Sequence, residues 1–424
     1  MQVSGTHVPH KPSLTTSYVH GTSSASLLAL TVGQSLDTTV QRCPDREAVV
    51  FLQDGIRKTF AQFQQDVDKV AAGLHALGLK QGDRLGIWGP NVYEWILFQF
   101  ASAKAGIIMV SLNPAYELEE VEFTLRKVQC KAVLCPTRFK TQNYCEMLRE
   151  ICPGTDSMPV SMTRSSRVPD LRMIIVTDSR QPGMLHVEDV MQAGESRHYK
   201  ELMGIQNKLS FDDPINIQFT SGTTGKPKGA TLSHHNIVNN AYFLGLRILY
   251  GTTENSPVTF LGFPEDNEEM KINTVGCIMP HTEAKVVDPV TGDIVTVGAS
   301  GELMIRGTCV MSGYWDDPGK TKEVISRDRW YRTGDTASLN SLGYCRIEGR
   351  IKDMIIRGGE NIYPAEIEQF LYRHPKVMEV QVVGVKDERL GEQVCACIRL
   401  RQGQTSTAQE IRSFCKGKVR AEEG

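Results

Sequence analysis

The stretch FTSGTTGKPKGATLS, residues 219–233, sets threonine and serine hydroxyls, glycines and two lysines into one short tract. Such a tract can hold an anion. The apolar run INIQF at 215–219 reads as a strand and empties straight into it. A strand ending in a glycine- and hydroxyl-rich loop can wrap backbone N–H groups around phosphate oxygens. Glycines permit close backbone approach, hydroxyls donate further hydrogen bonds, and Lys226 and Lys228 supply positive charge. The tract is not a loop of the GxxxxGK[ST] kind, because Gly222 and Gly225 stand too close together and Pro227 follows Lys226. Composition alone leaves an ordinary surface loop as an equal reading, since Ser, Thr, Gly and Pro dominate such loops as well.

The elements that must position this tract are written upstream. Phe63, Val67, Val70, Ala71, Leu74 and Leu77 recur at helical spacing between Ala61 and Leu77, and Gly78 ends that helix. The pattern then predicts a strand at 84–88, a helix at 92–104, a strand at 107–112, a helix at 118–128 and a strand at 131–135. A further strand is expected at 172–177, after a Pro- and Ser-rich surface loop at 153–170. Strands and helices alternating at this pace predict an α/β fold with a mostly parallel, helix-covered sheet. Residues 301–307 and 343–350 read as short strands. GRIKD at 349–353 reads as a boundary, followed by a helix at 365–372, strands at 378–385 and 394–400, and a helix at 407–415.

Bulk composition narrows the class. The chain has 424 residues, which predicts a large domain and at least one smaller one. Lys and Arg number 47 against 49 Asp and Glu, which argues against a nucleic-acid binder relying on positive charge. The eleven cysteines are scattered without zinc-type spacing and read as reduced packing thiols. The most apolar stretch, 95–112, is interrupted by Gln99 and Lys104, so a buried helix running into a buried strand is expected rather than a membrane span. Residues 1–34 contain no Asp, Glu or Arg and are rich in Ser and Thr. Two readings stay open for them, a disordered tail and a targeting segment.

TSGTTGKPKG at 220–229 resembles the phosphate-binding signature of the adenylate-forming superfamily of acyl-CoA synthetases, firefly-type luciferases and peptide-synthetase adenylation domains. YGTTE (250–254), GELMIRG (301–307), YRTGD (331–335) and GRIKDMIIRGGENIYPAEIE (349–368) resemble its later motifs in the right order. Within the superfamily, LSHHNIVNN, CVMSGYW and DMIIRGGENIYPAEIE look most like the medium-chain fatty acyl-CoA ligases. The resemblance implies an adenylate-forming fold, with a large sheet-and-helix domain over 35–351 and a small, truncated α+β C-terminal domain over 352–424. It also implies ATP-dependent activation of a fatty acid through an acyl-adenylate, with coenzyme A as acceptor, Mg²⁺ on the phosphates and a mitochondrial matrix location; a cytoplasmic one is the alternative. The implied partners are these small molecules, and oligomeric state is left open.

By the same resemblance, Thr220, Ser221, Gly222, Thr223, Thr224, Gly225, Lys226, Pro227 and Lys228 hold the phosphates of ATP. Thr253 contacts the α-phosphate, Glu254 helps bind Mg²⁺, and Asp335 accepts hydrogen bonds from both ribose hydroxyls. Arg350 reaches the ribose or phosphate, Lys352 is the hinge of the C-terminal domain, and Gly358 and Gly359 line the pantetheine arm of coenzyme A. His234, in an SHxN context at a helix start, reads as a capping or packing residue; neither it nor His281 receives a catalytic role.

Two departures from the family pattern stand out. Only twenty residues separate Gly229 from Tyr250, where family members carry a domain-sized block including much of the wall of the acyl tunnel. The chain ends at CKGKVRAEEG, before the motif whose lysine serves adenylation in the family; neither Lys416 nor Lys418 stands in that context. The departures favour a second reading, a catalytically silent variant that retains at most nucleotide binding or an interaction role. They also predict exposed strand edges around 236–262.

Overall fold

Short apolar strands that alternate their side chains between two helix-covered faces build the main sheet. The computed structural model describes residues 14–160, 162–220, 227–244, 249–357, 360–362 and 364–415. The main sheet has eight strands in the spatial order Leu185–His186, Met173–Val176, Ala132–Cys135, Arg84–Trp88, Ile108–Leu112, Pro214–Thr220, Lys228–Ser233 and Gly313–Tyr314. The first six run parallel, and the last two add antiparallel. Leu85, Ile87, Met109, Leu134 and Ile175 enter one core with helices Phe60–Ala76 and Tyr93–Lys104. Their neighbours Trp88, Val110, Val133, Ile174 and Val176 enter the opposite core with helices Leu118–Lys127 and Tyr144–Ile151. This is the period of two that a strand buried on both faces requires.

Local signals set the helix limits. Thr59 caps helix Phe60–Ala76, its hydroxyl accepting from Gln62 N–H while Gln62 Oε1 accepts from Thr59 N–H. Gly78 follows that helix at φ +92°, a conformation that suits a residue without Cβ. The apolar stretch 95–112 is, as expected, a helix running into a strand, Tyr93–Lys104 and Ile108–Leu112. Among the described residues no helix is long and apolar enough to cross a membrane.

A second sheet, antiparallel throughout, orders its strands Tyr18–His20, Thr282–Val287, Gly301–Gly307, Tyr331–Leu339 and Cys345–Arg350. Its first strand falls within residues 1–34, for which a disordered tail or a targeting segment is expected, and the described part of that segment from Leu14 on is ordered. Tyr18, Val19 and His20 pair with Lys285, Ala284 and Glu283, Ser17 N–H donates to Val295 O at 2.9 Å, and helix Val32–Arg42 begins in a capping box at Thr31. An edge strand is held by backbone hydrogen bonds, which need no apolar density, so composition misses it.

Leu249–Gly251, where the short 229–250 interval ends, pairs with Val258–Leu261, which pairs with Cys277–Ile278. These strands thus have partners, while Tyr242 and Leu244, inside the interval, are exposed. Beyond the turn Ile351–Asp353, strands Glu360–Ile362, Ile355–Arg357, Gly391–Leu400 and Val377–Asp387 form a four-stranded sheet. With helices Pro364–Leu371 and Ala408–Cys415 it surrounds its own core of Ile355, Ile367, Leu371, Val380 and Val382.

Candidate active site

Strands Pro214–Thr220 and Lys228–Ser233 form a hairpin in which Thr220 and Lys228 are cross-strand partners. The Thr220 hydroxyl donates to Lys228 O at 3.4 Å. The two described ends of the glycine- and hydroxyl-rich tract, Thr220 and Lys228, therefore lie side by side in the main sheet. Ser221, Gly222, Thr223, Thr224, Gly225 and Lys226 lie outside the described residues. Pro227 leads into the return strand, and Lys228 Nζ stands 5.3 Å from the centroid of the Tyr314 ring, a cation–π distance.

Tyr314 ties this hairpin to the expected metal-binding acid. It lies on the strand beside Lys228–Ser233, paired with Ala230, and its hydroxyl donates to Glu254 Oε1 at 2.9 Å. Burial, then the charge of Glu254, hold the Tyr314 phenol far above its ordinary pKa, so it remains a donor. Glu254 sits in the single turn Thr253–Asn255 and is buried, with Met311 N–H donating to its backbone carbonyl at 2.8 Å. Thr253 is half-buried in the same turn.

The second cluster is centred on Asp335, which is 4% exposed. Arg350 is its cross-strand partner, with Nε 2.8 Å from Asp335 Oδ1. Arg350 Nη1 also donates to Thr333 O at 3.2 Å, which fixes the guanidinium plane. The Tyr250 hydroxyl donates to Asp335 Oδ2. Burial is the largest influence on the Asp335 carboxyl and raises its pKa; the Tyr250 bond and the Arg350 charge pull the other way without reversing it. Contacts thus run from Lys228 through Tyr314 to Glu254, and from Tyr250, four residues before Glu254, through Asp335 to Arg350.

Lys352 is exposed in the turn Ile351–Asp353, two residues beyond Arg350. Gly358 and Gly359 lie outside the described residues. His234 begins helix His234–Phe243, where its Nδ1 accepts from Val32 N–H at 3.1 Å. Burial lowers its pKa to about 4, so it packs as a neutral imidazole. His281 contacts Ala25 O through Nε2 at 2.7 Å. Tyr250 and Tyr314 are the site residues that sequence reasoning missed. Both stand inside motifs quoted for the resemblance, YGTTE and CVMSGYW, and that placement is the signal they offer.

Residues 36–248 and 241–315 match the family of AMP-binding enzymes, and 366–421 match the C-terminal domain of the same enzymes. The chain belongs to the AMP-binding enzyme family. Within it, the chain is 54% identical to the mitochondrial medium-chain acyl-CoA ligase ACSF2 of Danio rerio, covering 97% of this chain and 86% of that protein. It is 44% identical to ACSF2 of Homo sapiens, covering 95% and 84%. ATP-bound MatB from Rhodopseudomonas palustris superposes with a TM-score of 0.78 at 21% identity, over 92% of this chain and 93% of that one. An anthranilate CoA ligase, AuaEII, in complex with anthranoyl-AMP gives 0.77 at 20% identity, over 93% and 92%. The adenylate-forming fold is therefore present. The Danio rerio alignment extends over 524 positions although the chain has 424 residues, and the family match breaks into two stretches that meet at 241–248, within the short 229–250 interval.

Proposed function

We propose that this chain activates a medium-chain fatty acid with ATP and passes the acyl group to coenzyme A. The observation that carries the reading is the ion pair between buried Asp335 and exposed Arg350, joined through Tyr250 to the segment that bears Glu254 and, beyond it, to the Tyr314–Lys228 side of the phosphate hairpin. In the first half-reaction a carboxylate oxygen attacks the α-phosphorus, the bond to the bridging oxygen breaks, and acyl-adenylate and diphosphate form. In the second, the coenzyme A thiolate attacks the acyl carbon and AMP leaves. The substrate supplies its own nucleophile, so the protein has only to align the reacting ends and stabilise charge on phosphoryl oxygens.

Each residue has a part in that task. Asp335 would accept the ribose hydroxyls, with Arg350 holding the carboxylate in place. The 220–228 hairpin would hold phosphates, and Thr253 the α-phosphate. Glu254 offers hard oxygen donors and has one carboxylate oxygen bonded to Tyr314. A lone carboxylate fits Mg²⁺, which binds through one or two carboxylates together with substrate phosphates. Among the described residues no His, Cys, Asp and Glu group of three or more forms a self-contained metal site. When bound, Mg²⁺ would neutralise phosphate charge. Lys352 is the proposed hinge between the half-reactions, and Gly358 and Gly359 the proposed pantetheine contacts. The mitochondrion is the proposed compartment, supported by the names of the relatives; diffuse cytosolic signal from residues 1–40 fused to a reporter would count against it.

Octanoate-dependent ATP–pyrophosphate exchange tests the activity directly. Exchange lost in Asp335→Ala is the expected result. AMP binding without exchange at any octanoate concentration would replace the reading with that of a nucleotide-binding remnant.

A further inference from the structure

Helix His234–Phe243 begins where the return strand of the phosphate hairpin, Lys228–Ser233, ends, and Ser233 is its N-cap. The helix buries three asparagines, Asn236, Asn239 and Asn240, and each bonds the backbone of a remote segment. Asn240 Nδ2 donates to Val258 O at 2.8 Å and to Asn255 O at 3.5 Å. Asn236 Nδ2 donates to Thr308 O at 2.6 Å and to Val310 O at 3.2 Å. Asn239 Nδ2 donates to Leu28 O at 3.0 Å, while its Oδ1 accepts from Leu28 N–H at 2.7 Å. Residues four apart share one face of a helix, so Asn236 and Asn240 point together, and Asn239 turns about 100° away from Asn240.

The segments held by Asn240 and Asn236 meet at Glu254. Asn255 closes the turn Thr253–Asn255 that carries this acid, and Met311 N–H, one residue beyond Val310, donates to Glu254 O at 2.8 Å. The side chains that follow the acid do not hold the turn. The two amide atoms of Asn255 and the hydroxyl of Ser256 are buried without a hydrogen-bond partner. Its place is set from outside, by Asn240 on one side and by the segment bonded to Asn236 on the other.

We infer that Asn240, aided by Asn236 one turn before it, is a positioning residue that ties the Glu254 turn to the helix continuing the phosphate hairpin. The inference rests on the reading of Glu254 as the Mg²⁺ acid. Removing the Asn240 amide leaves two carbonyls without their donor and loosens the Glu254 turn. Asp335 and Arg350, paired across strands of the second sheet, keep their places. Asn239 supplies the contrast, because it also makes two backbone hydrogen bonds to a remote segment, but at Leu28 and away from the acid.

The test is calorimetric titration of the full chain and its variants with ATP in Mg²⁺, with ATP in EDTA, and with AMP. In Asn240→Ala the gain in ATP affinity that Mg²⁺ gives should shrink about threefold or more, the scale of one lost hydrogen bond. AMP affinity should be unchanged. Asn240→Leu lacks the donor, keeps the volume and carries the same expected sign; thermal melts check that each variant folds. Asn239→Ala should lower the melting midpoint as Asn240→Ala does, yet leave the Mg²⁺ gain intact. A Mg²⁺ gain that Glu254→Gln abolishes but both Asn240 variants keep overturns the positioning role and leaves Glu254 as the metal acid. So does a gain that Asn239→Ala reduces equally, or a matching loss of AMP affinity in the Asn240 variants. No Mg²⁺ gain in wild type, or one that Glu254→Gln leaves intact, overturns the metal reading and the inference with it.

Discussion

Arg350 faces Asp335 as its direct cross-strand partner, with Nε 2.8 Å from Oδ1 and a second guanidinium nitrogen on Thr333 O. This arrangement presents a carboxylate in a buried place, where the ribose of the proposed nucleotide would meet it. Asp335→Ala should weaken AMP binding by about 1.5–3 kcal/mol, the range for hydrogen bonds to a charged group. Because burial raises the Asp335 pKa, affinity should fall on acidification at a higher pH than an ordinary aspartate would give. Titration of AMP binding across pH checks both statements. A pH profile unchanged by Asp335→Asn would detach the acid from the ligand.

His234 gives a stability prediction with a defined pH window. Its pKa falls from the ordinary 6.5 to about 4 through burial, while Nδ1 accepts from Val32 N–H. The unfolded chain takes up the proton near 6.5 and the folded chain only near 4, so the unfolded state binds more protons between these values. Stability is therefore full above 6.5 and is lost as pH falls toward 4, by about 3 kcal/mol. His234→Asn keeps an acceptor for Val32 and removes the titration. Its denaturant midpoint should be lower at pH 7 but flatter between pH 6.5 and 4. Parallel pH profiles for the two proteins would sink the assignment.

Lys104 anchors the N-terminal helices. Its side chain is 3% exposed, with Nζ 2.7 Å from Asp37 Oδ1 and 2.6 Å from Asp68 Oδ1. It thereby joins helices Val32–Arg42, Phe60–Ala76 and Tyr93–Lys104. Lys104→Ala leaves two carboxylates facing each other without their cation. The expected cost is roughly 3 kcal/mol, at the lower end for a broken buried pair because both acids reach solvent. Asp68→Asn should cost less, since Asp37 remains to pair the lysine. Urea unfolding of both variants decides the order.

The main sheet was legible because its strands are short, apolar and separated by helices with clear period, as in 84–88, 107–112 and 131–135. The N-terminal strand was not, because Tyr18–His20 is held by backbone pairing to Thr282–Val287, more than 260 residues away, and buries only Val19 well. In the site, motif spelling marked Glu254, Asp335 and Arg350, yet gave no hint that Tyr314 would meet Glu254 or that Tyr250 would meet Asp335. Those contacts join segments 60 and 85 residues apart and exist only once two sheets are assembled. Periodicity describes one element at a time and carries no information about such meetings.

The two half-reactions should be unequally affected by the short 229–250 interval. The relatives carry aligned positions that this chain lacks, and the family match breaks at 241–248. In the resembling enzymes the missing block contributes wall to the acyl tunnel, which holds the attacking carboxylate in line with the α-phosphorus. A misplacement of about 1 Å in such a step costs on the order of 10²-fold in rate. A supplied acyl-AMP, by contrast, would be held by its nucleotide half, through the proposed ribose acid Asp335 and its partner Arg350. Octanoate-dependent pyrophosphate exchange should therefore fall about 10²-fold or more below that of the Danio rerio relative, while conversion of octanoyl-AMP to octanoyl-CoA should fall less. Both rates are measured on the same purified chain, one by exchange of labelled pyrophosphate and the other by thioester formation. Equal losses in the two half-reactions would mean that the missing block acts on nucleotide binding or folding rather than on placement of the acyl carboxylate.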